Sequence, residues 1–199
     1  LYYSAVLYVV VSFAFNVWGA AFLMRVHDMP IAEAGLFFGP VTGIAGFAGT
    51  LASGALADRL SLRDVRWQMW IPMLGGLGML PFAVGFLFAP EPRVGLAFYA
   101  LQVFLSTFWM GPSFWVCQGL ARLRMRAMAA AILLLNINIF GTGLGPFALG
   151  ILNDLFRGPY GELGIRYSLL TVCVLMFWAV FHSYRVSRTL AVDLAASRD

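Results

Sequence analysis

Residues 54–66 read Gly54-Ala55-Leu56-Ala57-Asp58-Arg59-Leu60-Ser61-Leu62-Arg63-Asp64-Val65-Arg66, a charged knot that closes one long glycine-rich apolar stretch and stands directly before another. The turn is too short to form a domain. Charges beside segments of this apolarity must pair, reach water or meet a helix end. Working outward in both directions, the chain repeats the same alternation, long apolar runs divided by short knots of charge with proline or glycine.

The composition fixes the class. Of 199 residues, 61% are hydrophobic and 11% charged, and the mean hydropathy is +0.85, far from a soluble globular domain. This is the composition of an integral membrane protein. All 13 basic residues are arginine, and the net charge of +4 is spread over loops. There is no basic patch of the kind nucleic acid requires. Cys117 and Cys173 lie in separate apolar runs with no metal-ligand spacing, and His27 and His182 are far apart, so neither a disulfide framework nor a metal site is expected. No cofactor is expected either.

Six runs are long enough to cross a hydrocarbon core, which needs about 20 apolar residues. They fall near residues 2–25, 31–60, 66–89, 93–120, 125–156 and 163–187. Asp28-Met29-Pro30, Ala89-Pro90-Glu91-Pro92 and Arg157-Gly158-Pro159 with Gly161 mark breaks. Strand periodicity is absent, so a barrel is not expected. The expected fold is an all-α, six-transmembrane-helix bundle.

Arginine placement orients it. Arg59, Arg63, Arg66, Arg122, Arg124, Arg126, Arg185, Arg188 and Arg198 fall on one side, and Arg25, Arg93, Arg157 and Arg166 on the other. The richer side is read as cytoplasmic, which puts both termini and the Asp58 turn there. The chain opens on Leu1 inside an apolar run, without an initiator methionine, charged leader or cleavage site. It reads as a piece of a longer protein.

Polar residues inside the runs carry the functional expectation. The first run places Ser4, Tyr8, Ser12 and Asn16 four apart, and the fourth places Tyr99, Gln102, Ser106, Trp109 and Ser113 three or four apart. Each set is expected to form one stripe on one helix face. The third and sixth runs lack polar side chains through their middles and are expected against lipid. The fifth carries Asn136, Asn138 and Thr142. Such stripes serve either as interhelical glue or as the wall of a shared aqueous cavity. Two stripes in corresponding helices favour the cavity.

The correspondence rests on an internal repeat. Gly54-x-Leu56-x-Asp58 ends the second run and Gly150-x-Leu152-x-Asp154 the fifth, on opposite sides of the membrane. That is the mark of a 3+3 inverted repeat, with halves near 1–90 and 91–199 of one bundle. Gly35, Gly39 and Gly43, with Gly46 and Thr50, and likewise Gly141 with Gly145, are expected to let helices approach closely. Pro40 and Pro146 are expected to bend their helices.

Gly54-x-Leu56-Ala57-Asp58-Arg59 followed by Arg63 resembles the loop motif of the major facilitator superfamily, and Gly141-x-Gly143-x-Gly145-Pro146 is similar to a glycine-proline helix near the end of those transporters. Arg63-Asp64-Val65-Arg66-Trp67 with Trp70 and Pro72, and the tail Arg188-Thr189-Leu190-Ala191-Val192-Asp193-Leu194, resemble the carboxy-terminal half of bacterial Spinster-like proteins. Ser61 and Leu62 stand where the stronger loop motif has glycine and arginine.

The resemblance implies helices seven to twelve of a twelve-helix secondary transporter. Its partner is an amino-terminal six-helix half, and it moves a small amphipathic or organic solute, such as a lysolipid, by alternating access. No Asp, Glu, Lys or Arg lies near the middle of any expected helix. This half is therefore expected to supply cavity wall, through Asn16, Gln102, Trp109, Ser113 and Asn138, and cytoplasmic gate, through Asp58, Arg59, Arg63 and Arg126. Two alternatives stand beside it. One is a self-associating six-helix scaffold or half-transporter. The other is a rhomboid-like protease using Ser113 and His182, whose motif is spoiled by Phe114 and which lacks an evident oxyanion hole.

Overall fold

The computed structural model describes residues 1–196. Within them lie α1 (Tyr2–Val26), α2 (Ile31–Ser61), α3 (Trp67–Phe88), α4 (Pro92–Ser106), α5 (Met110–Gly119), α6 (Arg126–Asn136), α7 (Leu144–Tyr160) and α8 (Gly164–Ala196). A π-helical segment, Ile137–Gly143, joins α6 to α7. Helices α4 and α5 form one crossing, α6 through α7 another, and the chain reverses at Gly161, so the apolar helices make six passages. Arg198, assigned above to the arginine-rich side, lies outside the described residues.

Each reversal has a local cause. At the end of α1, Asp28 takes a left-handed backbone (φ 52), which lets the Met29 N–H reach back to the Leu23 carbonyl, and Pro30 precedes the next helix. Beyond α2, the Asp64 carboxylate accepts the Arg66 N–H at 2.9 Å and its carbonyl the Trp67 N–H, setting the start of α3. Of the expected break Arg157-Gly158-Pro159 with Gly161, the structure uses the last residue. The helix runs on to Tyr160 and stops at Gly161, whose backbone (φ 58, ψ −134) is open to glycine alone.

Two crossings are irregular. Pro112 has no N–H to give the helix behind it, and the chain between α4 and α5 tightens into short turns, Phe108 N–H to Leu105 O and Met110 N–H to Thr107 O. Hydroxyls cover the carbonyls near this break: Ser106 donates to Val103 O at 2.9 Å and Thr107 to Phe104 O at 3.0 Å. Pro146 acts likewise on the fifth crossing, where the ladder slackens to π spacing and ends with Leu144 N–H on Ile139 O. The Trp18 indole donates to the Pro146 carbonyl at 3.1 Å.

Packing follows a two-fold rule. Exchanging the first crossing with the fourth, the second with the fifth and the third with the sixth leaves the set of packed pairs unchanged. Second on fourth answers to fifth on first, third on fourth to sixth on first, and second on third to fifth on sixth; third with sixth maps onto itself. This is the inverted 3+3 repeat. Asp58 and Asp154 sit exposed at corresponding ends of the second and fifth crossings.

The core lies between α1, α3, α4 and α8, around Tyr8, Phe15, Phe22, Met79, Phe86, Tyr99 and Met176. The third and sixth crossings are therefore not simply lipid-facing. Each buries one face, and they keep outer rows such as Leu74, Leu77 and Val84, or Val174, Phe177 and Trp178, exposed. The second crossing is instead the least buried of the apolar helices. Gly141 and Gly145 do admit α1, against Val9 and Val10, but Gly35, Gly39 and Gly43 meet nothing within 4 Å. Close approach on α2 falls at Gly49, packed on the Phe104 carbonyl and the Thr107 hydroxyl at the α4–α5 break.

Candidate functional site

Between α1, α2 and the α4–α5 break lies a cleft of about 190 Å³, lined by Ser12, Phe13 and Asn16 with Val9 from α1, by Thr42 and Gly46 from α2, and by Tyr99, Val103, Ser106, Thr107, Trp109 and Met110. No charged side chain lines it. Tyr99 is its fixed wall. The ring stacks on Phe38 (4.3 Å between centroids, 20° between planes), packs on Phe86, and its hydroxyl lies 3.0 Å from the Thr42 hydroxyl. Ser12 donates to Tyr8 O at 2.8 Å and approaches Ser106 O at 3.5 Å, tying α1 to the broken helix.

The expected stripes are only partly realised. Residues four apart advance about 40° around a helix axis beyond a full turn, so Ser4, Tyr8, Ser12 and Asn16 drift through roughly 120°. Ser4 and Tyr8 accordingly turn inward, with the Tyr8 hydroxyl 3.5 Å from Ser183 and against Gly76, while Ser12 and Asn16 reach the cleft. In the fourth crossing the break at Thr107 swings Trp109 to the cleft beside Tyr99 and Ser106. Gln102 points into the bundle, fully buried, and neither its Oε1 nor its Nε2 has a partner among the described residues.

Ser113 is buried in α5, one turn beyond Trp109, and its side chain does not line the cleft. It shares no hydrogen bond with His182, which stands among Tyr3, Trp178 and Phe181, so no protease dyad is assembled among the described residues. Asn138 lies exposed in the π segment, where its side-chain amide donates to Leu134 O at 2.8 Å and its backbone carbonyl accepts from the Thr142 hydroxyl. Asp58, Arg59 and Arg63 at the end of α2 and Arg126 at the start of α6 are exposed. Among the described residues none of the four is in an ion pair; the pair found there, Arg157–Glu162 at 3.0 Å, is on the opposite face. No cluster of potential metal ligands occurs among the described residues.

Sequence reasoning alone did not single out Thr42, Phe13, Thr107 or Met110 for the cleft. Thr42 is a lone hydroxyl in a glycine-rich run, and only the stacking of α2 on Tyr99 gives it a role. Phe13 and Met110 carry no polar signal. Thr107 is the marker that was available, as a hydroxyl five residues before Pro112 at a helix break.

No family profile matches the chain. In sequence it is 32% identical over 181 residues to an MFS-type efflux pump of Mycolicibacterium smegmatis, covering 87% of this chain and 42% of that protein. In structure it is similar to a bacterial homolog of the human lysosomal transporter Spinster, in the inward-facing unoccupied conformation (TM-score 0.85) and in the inward-facing occupied one (0.86). Both share 23% identity with this chain and cover 96% of it, and the matched region is 47% and 48% of theirs. The chain thus spans about half the length of the relatives it matches.

Proposed function

Because the chain has the fold of one six-helix half of a Spinster-like major facilitator transporter, we propose that it works as the carboxy-terminal half of a secondary active transporter. A small amphipathic or organic solute, with lysolipids the first to test, moves by alternating access between this bundle and an amino-terminal six-helix half. One observation carries the reading. Five hydroxyls, an amide and an indole line a cleft among apolar helices, where polar groups are costly unless protein, water or solute meets them.

In this reading Asn16 and Trp109 touch the solute from the cleft. Gln102 and Ser113 supply hydrogen-bonding groups from the same broken helix, and Asn138 contributes from the fifth crossing. Asp58, Arg59, Arg63 and Arg126, in no ion pair among the described residues, form a gate that pairs across the interface with the other half and parts when the bundles rock. The arginine-rich face is cytoplasmic, and the protein resides in the cytoplasmic membrane. With no carboxylate, imidazole or cationic side chain among the residues lining the cleft, coupling to an ion gradient falls to the other half.

The test is thiol accessibility in the full-length protein. With Cys117 and Cys173 replaced, Asn16→Cys and, across the cleft, Met110→Cys are each exposed to a membrane-impermeant reagent, with and without lysophosphatidylcholine. Labelling that the lysolipid suppresses is the expected result. An absence of labelling at both positions, in inward-facing and outward-facing preparations alike, would reduce these residues to interhelical glue and remove the reading's support.

A further inference from the structure

The hydrogen bonds around the cleft say which chemistry it accepts. A hydroxyl has one proton to give and two lone pairs to receive with. Thr42 gives its proton to Phe38 O at 2.8 Å, which leaves the Tyr99 hydroxyl to donate to Thr42 Oγ1 at 3.0 Å. Ser12, Ser106 and Thr107 give theirs to Tyr8 O, Val103 O and Phe104 O. All five hydroxyl protons are thus committed to the protein itself, and what the five oxygens still offer a ligand is lone pairs. The remaining donors of the lining are the Asn16 amide and the Trp109 indole.

The helix that carries this wall also holds a buried amide. Gln102, between Tyr99 and Ser106 along α4, is wholly buried with both amide atoms unpartnered among the described residues. A buried amide left unmet is destabilising and uncommon. Gln102 faces the bundle interior and does not line the cleft, so the hydrogen-bonding capacity of the cleft itself is that of the five hydroxyls, Asn16 and Trp109. No cation is at hand for an anionic guest, and an unpaired charge would lose its hydration there without replacement.

We propose that the cleft is a subsite for an uncharged, hydrogen-bond-donating group, an alcohol such as the free hydroxyls of a monoacylated glycerol, and that it discriminates against anionic headgroups. The proposal deepens the transporter reading and rests on it. For a lysolipid, this half would hold the glycerol hydroxyl and leave the phosphate to the other half.

The experiment uses the full-length protein with Cys117→Ala and Cys173→Ala and a reporter, Phe13→Cys, at the mouth of the cleft. Protection from an impermeant thiol reagent is titrated with three probes sharing one chain: 1-octanoylglycerol, methyl octanoate and octanoate. The glycerol ester is expected to protect at a concentration about tenfold below the methyl ester, as one or two net hydrogen bonds give, with octanoate weakest. Thr42→Val combined with Ser106→Ala should bring the two esters within about twofold of each other, whereas Thr42→Ser should keep the preference. Because the readout is a ratio within each variant, a general loss of folding would not imitate it.

Equal protection by both esters, or strongest protection by octanoate, overturns the proposal. So does a lack of protection by all three in a preparation that transports lysophosphatidylcholine, an outcome that leaves the transporter reading standing. Selective protection by the glycerol ester, in a preparation that transports no solute tried, supports the subsite and counts against the transporter reading.

Discussion

Gly49→Ala tests how the second crossing is held against the cleft. A Cβ at this position would meet the Phe104 carbonyl oxygen and the Thr107 hydroxyl at less than contact distance and the Phe104 carbonyl carbon at 2.9 Å. The obstacle is largely backbone, at the α4–α5 break, and cannot turn aside as the end of a flexible side chain does. Helix α2 must retreat, loosening the Tyr99–Thr42 contact one to two turns away. Overpacking of this kind costs about 1–3 kcal/mol. Replacing glycine by alanine also favours helix by about 1 kcal/mol, so the wild type is a poor reference. Gly43→Ala, on the same helix with nothing within 4 Å, carries the propensity gain without the clash. The difference between the two variants should equal the overpacking penalty, about 1–3 kcal/mol, read from unfolding of the detergent-solubilised protein by circular dichroism. Equal stability of the two would refute the close approach of α2 to the break.

Three further outcomes are expected. Tyr99→Phe keeps the ring stack on Phe38 and removes the hydroxyl contact with Thr42, so it should lower stability by about 1 kcal/mol, while Tyr99→Ala should cost about 3–5 kcal/mol in the same unfolding assay. His27, just beyond α1, has its pKa lowered from 6.5 by burial and then by the nearby Arg166. The unfolded chain therefore takes up the proton first, so stability is highest above about pH 6.5 and is lost as pH falls toward the lower folded value. His27→Gln should flatten a pH titration of the melting temperature in that window. Arg157→Ala removes an ion pair whose side chains are 61% and 51% exposed, and should change stability by less than about 1 kcal/mol; a larger loss measured by thermal unfolding would mean that the pair organises the turn at Gly161.

The helices and their number were legible because lipid leaves a chain little choice. Backbone groups must be satisfied within each passage, so length and apolarity mark the crossings, and expected and observed bounds differ by a few residues at most ends. The inverted repeat was legible from Asp58 and Asp154 with their glycines, since a motif on both sides of an even-numbered bundle implies the two-fold relation found in the packing. Charge placement put Asp58, Arg59, Arg63 and Arg126 at exposed helix ends for a similar reason, since charged side chains rarely stay in hydrocarbon.

The cleft itself was not written in the sequence in that way. Spacing by four looks like a stripe, yet each step turns the helix by about 40° beyond a full turn, and only packing decides where along that drift a side chain leaves the core. Thus Tyr8 went inward and Asn16 outward, though both satisfy one pattern. Pro112 and Pro146 signalled lost hydrogen bonds, but the direction in which a broken helix turns is set by what it leans on, here Gly49 for the one and Trp18 for the other. Gln102 looked like a lining residue and is a buried one, with no hydrogen-bond partner among the described residues. By itself, the sequence determined membrane residence, six crossings and their inverted symmetry, because these depend on the free energy of each segment in its solvent. Which polar groups share a cavity, and that their protons are already committed, depends on contacts between segments far apart in the chain, and only the tertiary structure decided it.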